Sequence, residues 1–148
     1  MRVVVISGYF NPIHSGHIEY IKAASRLGDK LVVIVNSDKQ VKIKGSEPFM
    51  DETERMKIVG AIKGVDRAVL SVDKDESVVE TIKLLHKEYE LDYFFDKMYF
   101  CNGGDRTKGN SPEEQYCEKN DIHTIYNVGG GKTQSSSSLL ATSKIRNV

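Results

Sequence analysis

The sequence of 148 residues lacks the features that mark a secreted, strongly charged or cysteine-rich protein. Its two cysteines, Cys101 and Cys117, are far apart and form no metal-ligand pattern, so neither a disulfide framework nor a cysteine metal site is indicated. Lys plus Arg and Asp plus Glu both number 21. Because the chain has no basic excess, we do not expect nucleic acid or an anionic membrane as its main partner, and a small-molecule substrate fits better.

Long apolar runs are also missing, and none approaches the length needed to cross a bilayer. Met1 is followed directly by a strand pattern rather than by a signal peptide. Together these absences predict a reduced, cytoplasmic protein. The length predicts a single domain, over residues 1–148, that buries its own hydrophobic core.

Unbroken apolar runs at residues 3–6 and 31–35 flank an amphipathic segment at residues 15–27. Runs without alternation are typical of strands covered on both faces in a parallel sheet, so this part predicts a β–α–β unit. The alternation continues along the chain. Further strands are predicted at residues 67–72, within 91–101 and at 122–126, with helices at 51–62, at 76–89, from 111 and from 135. This order predicts an α/β fold, a Rossmann-like domain with about five parallel strands and helices on both faces.

Residues 8–17 (GYFNPIHSGH) lie between the first predicted strand and helix. Gly8 allows a sharp turn and close approach to a ligand, and Ser15 is expected to cap the helix. A strand end, a tight loop and a helix N-terminus then form an anion site. His14 and His17 would share a face of the first helical turn, and two imidazole donors suit a phosphate on which charge increases during transfer.

This stretch resembles the signature of the cytidylyltransferase-like nucleotidylyltransferases, whose H-x-G-H element reads His14-Ser15-Gly16-His17 here. The family includes glycerol-3-phosphate cytidylyltransferases and heptose-phosphate adenylyltransferases. The resemblance implies a nucleotidyltransferase that transfers NMP from CTP or ATP to a small phosphorylated or phosphonate acceptor and releases pyrophosphate. It also implies Mg²⁺ carried by the nucleoside triphosphate, without a metal site made by the protein.

Further segments match the family in the same order. Lys42 and Lys44 stand where lysines of a loop reach the triphosphate, with Lys44 preferred, and the alternative is a solvated loop. Arg55 matches a family arginine and could clamp phosphate in a bidentate manner. The alternative for Arg55 is a surface ion pair with Asp51 or Glu52.

Two glycine- or serine-rich segments complete the resemblance. Residues 103–106 (GGDR) match the family's G-G-D element, and residues 135–138 take the place of its I-S-[ST]-[ST] motif, although alone they would be a plain turn and a linker. Gln134 replaces an aliphatic residue and the R-T-E-G lead-in is missing, which argues against glycerol 3-phosphate as acceptor. The predicted catalytic residues are His14, His17, Lys44 and Arg55. The predicted nucleotide-binding residues are Gly8, Tyr9, Phe10, Asn11, Lys42, Gly103, Gly104, Asp105, Arg106, Ser135, Ser136 and Ser137.

Two alternatives remain open at this point. Phe10-Asn11-Pro12 also occurs in mononucleotide adenylyltransferases of cofactor synthesis, of the NAD or CoA type, and a non-catalytic nucleotide-binding module would keep the same fold. Asn11 stands where several relatives carry an aspartate, which weakens a direct role in metal binding. The aromatic-rich segment at residues 91–101 could form an interface, and we expect a homodimer.

Overall fold

The computed structural model describes residues 1–103 and 111–129. Strands and helices alternate through these residues in the predicted order. Their bounds are β1 Arg2–Gly8, α1 Ser15–Ser25, β2 Lys30–Val35, α2 Asp38–Ile43, α3 Glu52–Gly60, β3 Arg67–Leu70, α4 Val79–Glu90, β4 Lys97–Gly103, α5 Pro112–Lys119 and β5 His123–Val128. The predicted last helix from residue 135 lies outside the described residues.

All five strands join one parallel sheet in the order β3-β2-β1-β4-β5, which confirms the predicted fold class. The chain first builds outward from β1 on one side and then crosses to the other side, so the order reverses between β1 and β4. In open α/β sheets the ligand binds beyond the carboxyl ends of the strands at this reversal. The carboxyl ends of β1 and β4, at Gly8 and Gly103, therefore mark the expected position of a ligand site.

Each face of the sheet has its own hydrophobic core. In β1, Val3 and Val5 contact α4 and α5, whereas Val4 and Ile6 pack with α1 and α3. Successive side chains of a strand point to opposite faces, so an unbroken apolar run is what a sheet covered on both faces requires. The prediction of helices on both faces is confirmed.

The lysine-rich segment after β2 is a helix, α2, and the prediction of a loop there was wrong. The Ser37 hydroxyl accepts a hydrogen bond from the Gln40 N–H at 3.2 Å, and the Gln40 side chain accepts one from the Ser37 N–H at 3.0 Å. This reciprocal capping box satisfies two backbone donors at the helix start. Gln40 is fully buried, and its amide also donates to the carbonyls of Asp75 and Ser77.

Helix α4 begins at Val79, three residues later than predicted. Its cap residue, Val78, has no side-chain acceptor, and the carboxylate of Asp73 takes that role from outside the helix. Asp73 accepts from the N–H groups of Glu80 at 2.7 Å and Thr81 at 3.0 Å. Because the capping residue is distant along the chain, the usual cap pattern just before a helix is absent here.

Strand β4 begins in the second half of the predicted segment and runs two residues past its end, from Lys97 to Gly103. Leu91, Tyr93 and Phe94 precede it in a turn and are 88%, 91% and 71% exposed. The strand itself supplies the buried residues Met98, Phe100 and Cys101. The aromatic-rich segment is therefore a buried strand preceded by an exposed apolar turn.

Candidate active site

The loop between β1 and α1, residues 9–14, is called the histidine loop below. Phe10 has a φ of 50°, in the left-handed region, and its ring folds back over Gly8. A Cβ at Gly8 would lie 2.8 Å from Phe10 Cζ, so a side chain there would displace the ring. Gly8 was predicted to make room for a ligand, but the structure fills that room with Phe10, which is only 1% exposed.

The H-x-G-H element forms the start of α1, and its cap is His14 rather than the predicted Ser15. The Gly16 N–H donates to His14 Nδ1 at 3.1 Å, and the His14 N–H donates to His17 Nδ1 at 3.0 Å. The two ring centroids lie 3.9 Å apart. A Cβ at Gly16 would lie 3.0 Å from His14 Cε1, which explains why glycine stands between the histidines.

Both imidazoles have one ring nitrogen occupied by the backbone. Because each Nδ1 accepts an N–H, the neutral ring of His14 and that of His17 carry their proton at Nε2. Burial, with a smaller contribution from charge on His14, lowers the pKa of His17 to about 4, and the Phe10 ring lies beside it at a centroid distance of 5.0 Å. At neutral pH His17 is therefore an uncharged hydrogen-bond donor. Two adjacent N–H donors can stabilise an oxyanion.

Lys44 contacts the histidine loop at the aromatic ring of Tyr9. Its Nζ lies 4.0 Å from the ring centroid of Tyr9, at the distance of a cation–π contact. Burial raises the pKa of the Tyr9 phenol, with smaller effects from Glu76 and Glu113, so Tyr9 is neutral at physiological pH. Lys42 is exposed in the last turn of α2. Of the two predicted lysines, Lys44 therefore contacts the histidine loop, and Lys42 is exposed on α2.

Arg55 is buried beneath this site, with a side chain that is 0% exposed. Its guanidinium pairs with Asp38 at 2.6 Å, and not with Asp51 or Glu52 as in the predicted alternative. Its other hydrogen bonds go to the backbone carbonyls of Tyr9, Asn36 and Met50. Arg55 thus connects the histidine loop to the residue after β2 and to the first residue of α2. Its direct contact with phosphate stays a prediction.

Asn11 contacts the segment between α2 and α3, residues 44–51, which is called the α2–α3 loop below. Its Nδ2 donates to the Glu47 carbonyl at 2.9 Å, and its Oδ1 accepts from the Phe49 N–H at 2.6 Å. Both polar atoms of the side chain are therefore engaged with backbone. Phe49 itself is 73% exposed.

One residue of the second predicted half of the site, Gly103, lies at the end of β4. Gly103 ends that strand and pairs with Val128 of β5. Tyr20 of α1 donates its hydroxyl to the Cys101 carbonyl at 2.9 Å, which fixes α1 to β4 and was not anticipated from the sequence. Six predicted binding residues lie outside the described residues, namely Gly104, Asp105, Arg106, Ser135, Ser136 and Ser137.

Two residues of the site were missed by sequence reasoning. Asp38, the ion-pair partner of Arg55, has its own N–H bonded to Glu52 Oε1 at 2.8 Å. The signal for Asp38 was its place directly after a capping serine at the carboxyl end of β2, where acidic residues are common in a first helical turn. Tyr20 carried no comparable signal, because it looks like an ordinary partly buried residue of an amphipathic helix.

Neither a metal cage nor a membrane span is found in the part of the chain that the structure describes. Residues 1–103 and 111–129 contain no group of three or more His, Cys, Asp or Glu side chains placed to hold a metal ion. Within the same ranges, every helix is too short or too polar to cross a bilayer.

The chain was compared with known proteins. It matches the family model described as cytidylyltransferase-like over residues 5–147. The FAD synthase of Thermoplasma acidophilum is 42% identical over 81 residues, which are 53% of this chain and 57% of the relative. The FAD synthase of Ferroglobus placidus is 45% identical over 75 residues, 51% of this chain and 49% of the relative.

Other similar proteins include an enzyme with a different name and a solved structure. The bifunctional protein HldE of Azorhizobium caulinodans is 40% identical over 57% of this chain and 18% of the relative. The crystal structure of the lipopolysaccharide core biosynthesis protein from Thermoplasma volcanium has a TM-score of 0.65 and 28% identity, and the match covers 86% of this chain and 96% of that one. The matched segment spans about half the length of the FAD synthases.

Proposed function

The chain belongs to the cytidylyltransferase-like family, and from this premise we propose that it is a nucleotidyltransferase. It transfers a nucleotidyl group from a nucleoside triphosphate to a small phosphorylated acceptor. The observation that carries this proposal is the pair of imidazoles at the start of α1, each with Nδ1 accepting a backbone N–H and Nε2 left as the donor.

The proposed reaction needs positioning and charge stabilisation. An oxygen of the acceptor phosphate attacks the α-phosphorus of the triphosphate, a new P–O bond forms, and the bond to pyrophosphate breaks. Negative charge on the non-bridging α-oxygens increases in the transition state, and the Nε2 protons of His14 and His17 donate to them. No covalent bond to the protein is required.

The remaining predicted residues bind the nucleotide. Lys44, on the Tyr9 ring, is within reach of the histidine loop and neutralises the β- and γ-phosphates. In this proposal the backbone N–H groups of Gly8, Tyr9 and Phe10 at the start of the loop bind phosphate oxygens, and Asn11 of the loop and Lys42 of α2 complete this side of the site. Residues 103–106 and 135–137 complete the nucleotide site in this proposal. Arg55 supports the site from beneath through its carbonyl and carboxylate contacts.

ATP is the proposed donor. FAD contains an adenylyl group, and two FAD synthases are 42% and 45% identical to this chain over 81 and 75 aligned residues. CTP is the alternative that a direct comparison must exclude. Mg²⁺ enters as the metal complex of the triphosphate and counts as part of the substrate.

The acceptor is proposed from the names of the relatives and the chemistry that they imply. FMN and a heptose phosphate are the two acceptors to test, because relatives are FAD synthases and HldE. Both offer a phosphate monoester as nucleophile. A phosphonate would be attacked through the same kind of oxygen and belongs in the panel as a third class.

Cellular location and assembly are also proposed. The cytoplasm supplies nucleoside triphosphates, and it keeps thiols such as the buried free Cys101 and Cys117 reduced. A homodimer is supported by the exposed apolar turn before β4, where Leu91, Tyr93 and Phe94 lie in water.

The decisive experiment measures pyrophosphate release. ATP or CTP with Mg²⁺ is offered together with FMN, a heptose phosphate or a phosphonate, and each product is identified by mass. We expect release with ATP and one phosphorylated acceptor, and none when His14 and His17 are both replaced by alanine. Tight ATP binding without release from any acceptor would instead indicate a non-catalytic nucleotide-binding module.

A further inference from the structure

The α2–α3 loop is held against the histidine loop by two side chains. Its residues from Lys44 to Glu47 are exposed and bury little surface of their own. Asn11 bonds to the Glu47 carbonyl and to the Phe49 N–H. Further along, Arg55 Nε donates to the Met50 carbonyl at 3.0 Å while its Nη1 donates to the Tyr9 carbonyl at 2.8 Å. Asn11 and Arg55 thus attach the loop to the segment that carries the histidines, and these two attachments are called pins below.

The first pin requires an amide. The side chain at residue 11 must donate to one backbone carbonyl and accept from a backbone N–H two residues later, and an asparagine amide can do both. An ionised aspartate has acceptors only, so it would place a carboxylate against the Glu47 carbonyl without a proton between them. The backbone of the α2–α3 loop therefore explains why asparagine stands at this position.

The pinned loop begins with a residue of the proposed active site. Lys44 ends α2, and its ammonium group lies on the ring of Tyr9, whose carbonyl is held by Arg55. The backbone of Lys44 is held on one side by α2, since its N–H donates to the Gln40 carbonyl at 3.0 Å. The contacts of Asn11 and Arg55 fix the backbone on the other side, so the loop loses less backbone entropy when the lysine binds phosphate.

We propose that Asn11 is a positioning residue which, together with Arg55, pre-organises the α2–α3 loop so that Lys44 is held ready for the triphosphate. Asn11 acts through the loop and does not need to touch the nucleotide or its metal. This inference rests on the proposed function for the identity of the ligand, but the contacts that it invokes are properties of the free protein.

The first test measures the loop without any ligand. Hydrogen–deuterium exchange of the backbone N–H groups of Gly45, Ser46, Glu47 and Phe49 is compared in the wild type, Asn11→Ala and Asn11→Asp. Loss of both bonds in Asn11→Ala should accelerate exchange about tenfold, while Asn11→Asp keeps an acceptor for the Phe49 N–H and should give a smaller increase. Exchange in α1 should stay unchanged in all three proteins.

A matched control variant is available in α5. Asn120 also donates its side-chain amide to a backbone carbonyl, that of Tyr116 at 2.8 Å. Asn120→Ala should leave exchange of the α2–α3 loop and nucleotide affinity unchanged. Equal exchange of the backbone N–H groups of Gly45, Ser46, Glu47 and Phe49 in the wild type and Asn11→Ala would overturn the proposal.

The second test asks whether Asn11 acts through Lys44. ATP affinity is measured by calorimetry for the wild type, Asn11→Ala, Lys44→Ala and the double variant. Asn11→Ala should weaken binding about fivefold when Lys44 is present and less than twofold when it is absent, because a positioning residue has nothing to position once the lysine is gone. Additive effects in this cycle would contradict the proposal.

Failure of the positioning role can be distinguished from failure of the proposed function. If no acceptor releases pyrophosphate but the cycle is non-additive, the transferase assignment fails and the role of Asn11 stands. If ATP does not bind to the wild type, the nucleotide site fails and the exchange experiment alone decides whether Asn11 fixes the loop.

Discussion

The chemistry proposed for His17 depends on a ring that serves the backbone and the substrate at the same time. Its Nδ1 accepts the His14 N–H, so the ring helps to cap α1, while its Nε2 proton is available to an anion. Replacing this residue therefore removes two interactions. Any mutational test must separate the loss of the cap from the loss of the donor.

We predict that His17→Ala lowers turnover by about 10²- to 10³-fold, the usual loss when one oxyanion donor is removed, while ATP affinity changes much less. Pyrophosphate release and calorimetry measure the two quantities.

His17→Gln keeps an acceptor at the third helical position, as in an ordinary capping box, and separates the cap from the catalytic donor. His123→Ala on β5 is the control, because that histidine is exposed and pairs with Lys97. Near-normal turnover in His17→Ala would exclude the proposed role.

The lowered pKa of His17 predicts how stability depends on pH. The ring titrates near 4 in the folded protein and near 6.5 when unfolded, so between these values the unfolded chain binds the extra proton. The contribution is fully present above pH 6.5 and is lost as the pH falls toward 4. We expect the free energy of unfolding, measured by urea denaturation, to fall more over this range in the wild type than in His17→Gln. The expected difference is about 1–2 kcal/mol after allowance for solvent screening of a half-exposed ring. Parallel profiles would show that His17 does not titrate in this way.

Individual residues also show what sequence reasoning could and could not provide. The pair of histidines was found because its spacing is local and places both rings on one helical turn. The ring that covers Gly8 was not predicted, and the alternative ion pair of Arg55 with Asp51 or Glu52 was wrong, because the Phe10 ring and Asp38 reach those positions through the tertiary fold. A residue's type restricts its chemistry, whereas its neighbours are set by chain segments far away in sequence.

At the scale of elements, the N-terminus of α1 is shaped to hold the His14 ring close to the backbone. Gly16 is the residue over which that ring lies. An alanine there would suit the helix, since alanine has a better helix propensity than glycine by about 1 kcal/mol. Helix propensity therefore favours alanine at residue 16, whereas the position of the His14 ring requires glycine.

We predict that Gly16→Ala lowers turnover by about tenfold or more while stability changes little, because the gain in helix propensity offsets the loss of the His14 cap, each about 1 kcal/mol. The new Cβ would lie 3.0 Å from His14 Cε1, so the ring has to move and its donor leaves the α-phosphate. Gly60→Ala in α3 is the matched control, because its Cβ would meet Ala68 Cβ at an ordinary 3.7 Å. Thermal unfolding and pyrophosphate release give the two readouts, and equal activity of both variants would argue against a precise placement of His14.

The elements themselves were predictable to different degrees. Strand β2 was predicted almost to the residue, and β1 was predicted correctly except that it ends at Gly8 and not at Ile6, since runs of Val and Ile bounded by polar residues have few other interpretations. The start of α4 was missed because its cap, Asp73, is not adjacent to the helix, and α2 was missed because a short lysine-rich helix looks like a solvated loop. Local patterns predict an element's type better than its ends, which side chains from other segments often decide.

At the scale of the whole molecule, the parallel order of the sheet brings the site together. The loops after β1 and β2 leave neighbouring strands at the same edge, which allows Arg55 to reach the carbonyls of Tyr9 and Asn36 at once. The opposite edge of the molecule, where Leu91, Tyr93 and Phe94 precede β4, takes no part in these contacts. Its exposed apolar surface needs a separate explanation.

We predict that this exposed turn mediates the proposed homodimer. Light scattering on the wild type should report twice the mass of one chain, and Leu91→Glu together with Tyr93→Glu should shift the protein to a monomer, because burying new carboxylates at an interface is costly. Val72→Glu is the control, since Val72 is 54% exposed but lies at the other end of α4. The histidine site is formed within one chain, so the monomeric variant should keep its pyrophosphate release. A wild type of single-chain mass at micromolar concentration would contradict the dimer.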